Sequence, residues 1–247
     1  MANWSDQRPG VAPLTGAATD ARGVAYDAGL RSFMLGVYNY MASAVLLSGV
    51  VALLFSMGGR ESLAAQVFIG GGILKWVITF APLAFILFMN FKQMSAGALQ
   101  ATFWGFAVVM GLSLSTIFLV YQPMAIASAF FASAAGFAGL SLWGYTTERN
   151  LSAMGSFLLV GLVGLIVASL LNLFLHSGPL GLMISLVGVL IFAGLTAYDT
   201  QRTKSIYAYV AGTSEEGRAQ IMSATSLYLD FVNMFMFLLR LFGSSRN

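Results

Sequence analysis

The chain is poor in the residue types on which most site chemistry depends. It contains no cysteine and one histidine, and only 9% of its 247 residues are charged. The absence of cysteine excludes disulfides, thiolate catalysis and cysteine-based metal sites. Because His176 stands alone, no histidine cluster can hold zinc or non-haem iron. The net charge of +3 is too small and too scattered to indicate binding to nucleic acid.

Apolar residues dominate instead. They make up 58% of the chain, whereas charged residues fall far below the roughly one quarter found in soluble domains. A soluble fold of this length needs more polar surface, so the excess apolar side chains must face an apolar medium, for which lipid is the natural candidate. The sequence therefore predicts an all-α integral membrane protein whose first partner is the lipid bilayer.

The apolar residues fall into seven segments, each about long enough to cross a hydrocarbon core roughly 30 Å thick at about 1.5 Å per residue. The segments are 33–55, 69–89, 99–120, 124–143, 154–175, 180–198 and 221–242. Pro82 lies inside the second segment and is expected to kink it. Residues 1–28 are polar and rich in Gly, Pro and Ala, which predicts a disordered tail. Residues 29–247 then form a single domain of seven transmembrane helices.

Small residues at a spacing of four predict where helices approach closely. The third segment carries Gly111 and Ser115, and the fourth carries Ser128, Ala132 and Gly136. Helices in lipid use such positions for close contact between backbones. We therefore expect both stripes to lie at helix interfaces.

Lysine and arginine are distributed unevenly between the two sides that seven crossings define. A cytoplasmic N-terminus places eight basic residues on the inner side and four on the outer side. Basic residues concentrate on the cytoplasmic side of membrane proteins, so this arrangement is favoured. It also places Lys92 and the longest connection, residues 200–220, in the cytoplasm.

Two acidic residues lie in or beside the apolar segments. Asp199 ends the sixth segment, and Asp230 lies nine residues past Ile221, which is roughly 13 Å into the last segment. An ionisable group at such depth is a functional-site hypothesis by default. The structural alternatives are an interfacial residue at a helix end for Asp199, and an acid paired with a buried base or hydroxyl for Asp230.

A pair of carboxylates in an apolar medium suggests three roles. The pair can share a proton, because two like charges at close range cannot both ionise cheaply. It can bind a hard cation such as Ca²⁺ through oxygen ligands. It can also form an aspartyl-protease dyad, but intramembrane aspartyl proteases have a Gly-x-Gly-Asp pattern that Asp230 lacks, and no Pro-Ala-Leu follows it. The sequence therefore predicts no enzyme and no cofactor beyond bound or transported Ca²⁺.

Three stretches carry a resemblance to a known family. They are GLTAYDTQ at 194–201, LYLDFVNMF at 227–235 with LLRLFG at 238–243, and SLWGYTT at 141–147. The chain resembles the Bax inhibitor-1 family, also called the transmembrane Bax inhibitor motif family, and is most similar to its bacterial branch. The resemblance covers all seven segments, from about residue 33 to residue 243.

The resemblance implies a fold and a mechanism. It implies seven helices with the last at the centre of the other six, and a cation leak, best described for Ca²⁺, that is gated by protons binding to two acids. Asp199 and Asp230 fall on the positions of that pair, which makes them the candidate metal or proton site. Lys92 is the nearest match to a basic residue that takes part in the closed state. Some members carry an acid in the second helix, where this chain has Pro82.

Two functions follow as hypotheses. The first is a pH-sensitive calcium or cation leak channel that serves ion homeostasis in the bacterial inner membrane, with Lys92 as the gating partner of the acids. The alternative is a non-transporting modulator of a membrane-bound ATP-dependent protease, which would then be a partner protein. Only the first hypothesis needs both carboxylates, and it predicts that Asp199 and Asp230 approach within hydrogen-bonding reach.

Overall fold

A computed structural model describes residues 16–91 and 94–243. This part of the chain is helical and contains no strand. The α-helices are α1 Gly16–Ser56, α2 Leu63–Phe68, α3 Leu74–Phe91, α4 Ala96–Leu114, α5 Thr116–Val120, α6 Pro123–Thr146, α7 Ser152–Leu175, α8 Gly178–Val210 and α9 Glu216–Phe242. A single 3₁₀ turn, Gly59–Glu61, follows α1.

Within the described ranges, six helical stretches are long and apolar enough to cross a membrane. They comprise α1, α4 with α5, α6, α7, α8 and α9, and α3 is a shorter apolar helix. Six of the seven predicted segments fall within one of these stretches, and the second overlaps α3. The prediction of an all-α integral membrane protein is therefore confirmed. The second segment begins later than predicted, because Gly71 and Gly72 have positive φ and α3 starts only at Leu74.

The last helix lies at the centre of the molecule. In the most apolar window of α9, 67% of the residues are buried, whereas the corresponding fraction in α7 is 11%. Helix α9 packs against α8, α1, α6 and α4, while α7 packs mainly against α8. Among the six stretches, α9 is also the least apolar and α7 the most apolar. Lipid favours this order, because a polar helix is best placed inside the bundle and an apolar one outside it.

Two predicted boundaries were wrong. Helix α1 begins at Gly16, so residues 16–28 are not a disordered tail, and residues 1–15 lie outside the described range. The segment from Gly16 onward is rich in alanine, the best helix former, and the ring of Tyr26 packs 5.3 Å from the ring of Tyr207 in α8. Helix α8 likewise continues to Val210, eleven residues beyond Asp199, so Asp199 does not end a helix.

The small-residue stripes had different outcomes. Gly111 does lie at an interface, because a Cβ there would come within 2.6 Å of the Ser48 carbonyl oxygen in α1. The stripe in α6 was placed on the wrong face, since Ser128 and Ala132 are exposed. A helix rich in small residues contains several sets of small residues spaced four apart. Packing against α8 and α9 buries the set shifted by one residue from the predicted stripe. The buried face of α6 comprises Ala129, Ser133, Phe137, Ser141 and Gly144.

Candidate proton and cation site

Two of the recognised stretches, residues 141–147 and 194–201, meet where α6 packs against α8. A Cβ on Gly144 would come within 2.3 Å of the Ala197 carbonyl oxygen, so the two backbones are in direct contact. The Ser141 hydroxyl lies 3.0 Å from the Thr200 hydroxyl and is also hydrogen bonded to Tyr38 of α1. This contact fixes the segment of α8 that carries Asp199.

The next turn of α8 is held by the connection between α6 and α7. The Gln201 amide accepts a hydrogen bond from the Leu151 backbone N–H at 2.9 Å and donates one to the Arg149 carbonyl at 2.8 Å. One turn further, Lys204 Nζ donates to the Tyr145 carbonyl at 3.2 Å. Asp199 therefore projects from a part of α8 that is held by α6 and by the connection after it.

Asp230 occupies the interior of the bundle. It is 4% exposed, and its Oδ2 atom is buried without a hydrogen-bond partner. Its burial follows from the central position of α9, on which Leu227, Tyr228 and Phe231 are also buried. A carboxylate without a partner in such surroundings carries a large desolvation cost when it is charged. A proton or a cation would remove that cost.

Asp199 and Asp230 line one cavity between α7, α8 and α9. The cavity has a volume of about 1100 Å³. Asp199 is half-buried. The structure thus brings the two predicted residues into one site, although no hydrogen bond joins them within the part of the chain that it describes. The predicted approach of the two carboxylates within hydrogen-bonding reach stays a prediction.

Polar side chains continue along the cavity on both sides of the acids. On α9, Ser226 and Asn233 lie four residues before and three residues after Asp230, so they share its helix face. The α9 lining extends from Ser226 to Leu241, which is roughly 22 Å of helix. The cavity therefore covers most of a hydrocarbon core about 30 Å thick.

The side-chain atoms near the two acids that could bind a cation are oxygen atoms. Asn233 donates through Nδ2 to the Leu229 carbonyl at 2.8 Å, which leaves its Oδ1 as an acceptor in the cavity that the carboxylates line. No group of three or more His, Cys, Asp or Glu residues able to hold a metal occurs in the described ranges. Ca²⁺ takes about six to eight oxygen ligands, so two carboxylates and one amide would leave water to supply most of them. These residues fit a hydrated cation better than a resident metal ion.

The basic residue beside the acids is one that sequence reasoning missed. Lys92, the predicted gating partner, lies outside the described residues. Arg202 also lines the cavity, three residues after Asp199 on α8. The sequence did contain a signal for Arg202, because it follows Asp199 by three residues and residues three apart on a helix share a face. No ion pair joins Arg202 to either acid in the described structure.

A helical bundle of this kind, with a half-polar helix at its centre and two acids in an intramembrane cavity, is a multi-pass membrane protein with an internal ionisable site. The chain belongs to the Bax inhibitor-1 family, since residues 30–247 match the family described as inhibitor of apoptosis-promoting Bax1. The match includes all seven apolar stretches and both acids.

Individual relatives extend over nearly the same region. An uncharacterized protein of Rickettsia prowazekii is 45% identical over 233 residues, which cover 93% of this chain and 96% of the relative. The inner membrane protein YbhL of Escherichia coli K12 is 36% identical, with 89% of this chain and 94% of the relative covered. An uncharacterized membrane protein of Streptococcus pyogenes is 34% identical, with coverage of 88% and 94%.

Proposed function

We propose that this protein is a pH-sensitive cation leak pathway, with Ca²⁺ as the main ion and the pair Asp199 and Asp230 as its gate. The observation that carries the proposal is the buried, unpartnered Oδ2 of Asp230 in a cavity shared with Asp199. Carboxylates that only stabilised the fold would be expected to have hydrogen-bond partners. An unpartnered carboxylate along a continuous cavity suits a site that protons and cations occupy in turn.

Gating follows from the charges around the pair. A basic side chain held by a charged acid would tie neighbouring helices together and keep the pathway shut. Arg202 of α8 lines the same cavity as Asp230 of α9, so an ion pair between these two residues would join α8 to α9. Lys92 remains the gating partner that the family resemblance suggests. Protonation of the acid weakens the attraction, and a helix contact with two arrangements then shifts toward the open one.

The location is part of the same proposal. The relative in Escherichia coli is named an inner membrane protein, and the excess of basic residues favours a cytoplasmic N-terminus. We place the protein in the bacterial inner membrane with residues 200–220 in the cytoplasm. We propose that it acts without catalysing a reaction, because Asp230 lacks the Gly-x-Gly-Asp pattern of intramembrane aspartyl proteases and no Pro-Ala-Leu follows it.

A second candidate function is modulation of a membrane-bound ATP-dependent protease. The observation that favours it is the helical extension of α1 and α8, which pack together through Tyr26 and Tyr207 beyond the predicted apolar segments. This extension gives the protein a folded surface on which a partner could dock. Such a partner would not require the two carboxylates.

Ca²⁺ flux into proteoliposomes, measured with an enclosed dye between about pH 6 and pH 8, tests the proposal. Wild-type flux should rise as the pH falls, because protonation releases the gate. Asp230→Asn should give a flux that no longer varies with pH. Glu148→Gln is the matched control, because it also neutralises one acid but lies exposed in the connection after α6. If all three proteins give the same flux at every pH, the acids are structural and the protease-modulator function becomes the better account.

A further inference from the structure

A second cavity lies between α1 and α6. It has a volume of about 780 Å³, its floor is formed by Phe231 of α9, and it shares no lining residue with the cavity of the two acids. Helices α1 and α6 both pack against α9, and the hydrogen bond between Tyr38 and Ser141 crosses the space that separates them. We refer to this space as the α1–α6 groove.

The walls of the groove are apolar and face outward. Leu35 of α1 is 53% exposed and Leu142 of α6 is 64% exposed, although both line the groove. Along α1 the lining runs from Arg31 to Leu46, which is roughly 22 Å. One leaflet of the hydrocarbon core is about 15 Å thick, half of the whole. A single extended acyl chain can therefore lie within the groove.

Positive charge is concentrated at one end of the groove. Arg31 is exposed and makes no hydrogen bond or ion pair with any described residue. Lys204 reaches the same end, since its Nζ lies 5.3 Å from the ring of Tyr145, a groove residue. Asp27, one turn before Arg31, is exposed and forms no ion pair within the described ranges. At the far end the lining is apolar, with Leu46 and Phe130.

We propose that the α1–α6 groove is a binding site for an anionic phospholipid. One acyl chain lies between α1 and α6, and the phosphate faces Arg31 and Lys204. The groove has the polarity of such a molecule, with positive charge at one end and only apolar side chains at the other. Basic pockets between transmembrane helices bind anionic headgroups for the same reason.

The position of the groove links its occupant to both acids. Ser141 lines the groove and is hydrogen bonded to Thr200, the residue after Asp199. Phe231 forms the floor and directly follows Asp230. A lipid in the groove therefore supports the two helices from the side that faces away from the acid carboxylates.

Native mass spectrometry of the full-length protein tests the proposal. The protein is exchanged into mixed micelles that contain phosphatidylglycerol or phosphatidylcholine with identical acyl chains, and the lipids retained per protein are counted. Wild type should retain the anionic lipid about fivefold better, the factor expected from about 1 kcal/mol for one basic residue near an anionic headgroup. Arg31→Gln should remove most of this preference, because Lys204 Nζ already donates to the Tyr145 carbonyl at 3.2 Å, and Arg31→Lys should keep it.

A second pair of variants tests the groove itself. Ala138 lines the groove and is exposed, so Ala138→Phe should fill it and reduce retention of both lipids. Ala132→Phe adds the same ring to an exposed position of α6 that does not line the groove and should retain lipid as wild type does. Arg31→Gln alters an exposed side chain, so its result stands even if Ala138→Phe lowers the yield.

Three outcomes would overturn the proposal. Equal retention of the two lipids by wild type would remove the charge argument, and unchanged retention by Ala138→Phe would place the lipid elsewhere. A dimer that dissociates in Ala138→Phe with no loss of lipid would put a second copy of the chain in the groove. Because the readout is bound lipid, each of these results is independent of whether the protein conducts cations.

Discussion

At the scale of single residues, two hydroxyl groups show how α9 is fixed inside the bundle. The Tyr228 hydroxyl is fully buried and donates to Ser48 Oγ of α1 at 2.7 Å. Ser48 in turn donates to the Ala107 carbonyl of α4 at 2.7 Å. Three helices are thereby linked two residues from Asp230. Because Ser48 is both donor and acceptor, its loss and the loss of the tyrosine hydroxyl have different consequences.

Ser48→Ala should destabilise the protein more than Tyr228→Phe. The alanine variant leaves the tyrosine hydroxyl buried without a partner, which costs about 1–3 kcal/mol. The phenylalanine variant removes that hydroxyl and leaves Ser48 bonded to Ala107, at a cost of about 0.6 kcal/mol, typical of hydrogen bonds between membrane helices. Thermal unfolding in detergent measures the difference. An equal or larger loss of stability for Tyr228→Phe would show that leaving the Tyr228 hydroxyl without Ser48 carries no extra cost, and it would contradict the prediction.

At the scale of elements, the contact between α6 and α8 sets the position of Asp199. It depends on the absence of a side chain at Gly144, where a Cβ would come within 2.3 Å of the Ala197 carbonyl oxygen. Backbone lies on both sides of this contact, so neither side can yield by a simple rotation of a side chain. Gly139 is on the same helix, and a Cβ there would meet no atom within 4 Å.

Gly144→Ala should therefore lower stability by about 1–3 kcal/mol, the cost of overpacking a close interface. Gly139→Ala is the matched control and should be neutral or stabilising, because alanine is the better helix former by about 0.5–1 kcal/mol. The melting temperatures of the two variants in one detergent provide the comparison. Equal melting temperatures would mean that α6 and α8 can separate without cost.

The same elements show what the sequence could and could not predict. The depth of Asp230 was predictable, because an acid inside an apolar run has few alternatives. The end of the sixth segment was not, since the polar residues Asp199, Gln201 and Arg202 resemble a membrane boundary although α8 continues past them. The spacing of small residues also failed to predict the buried face of α6, where Ser128 and Ala132 are exposed. Several stripes of small residues are equivalent in the sequence, and only the partner helices determine which of them is buried.

At the scale of the whole molecule, the bundle is organised around its least apolar helix. Helix α9 contributes Asp230 and Asn233 to the acid cavity and Phe231 to the α1–α6 groove. Peripheral α7 closes the acid cavity from outside while packing mainly against α8. A change in the charge of the acids therefore acts where the central helix, its main neighbour and the least buried helix meet. Acids at the meeting point of these helices are better placed to act as a gate than acids inside a rigid core would be.

The central claim is that Asp199 and Asp230 act as one gate, and a double-mutant cycle on Ca²⁺ flux tests it most directly. Wild type, Asp199→Asn, Asp230→Asn and the double variant are compared in proteoliposomes at about pH 6 and pH 8. Residues that act as a unit are strongly non-additive. The double variant should match either single variant within about twofold, and all three should lose the pH dependence of wild type. Effects that multiply in the double variant would contradict a shared gate.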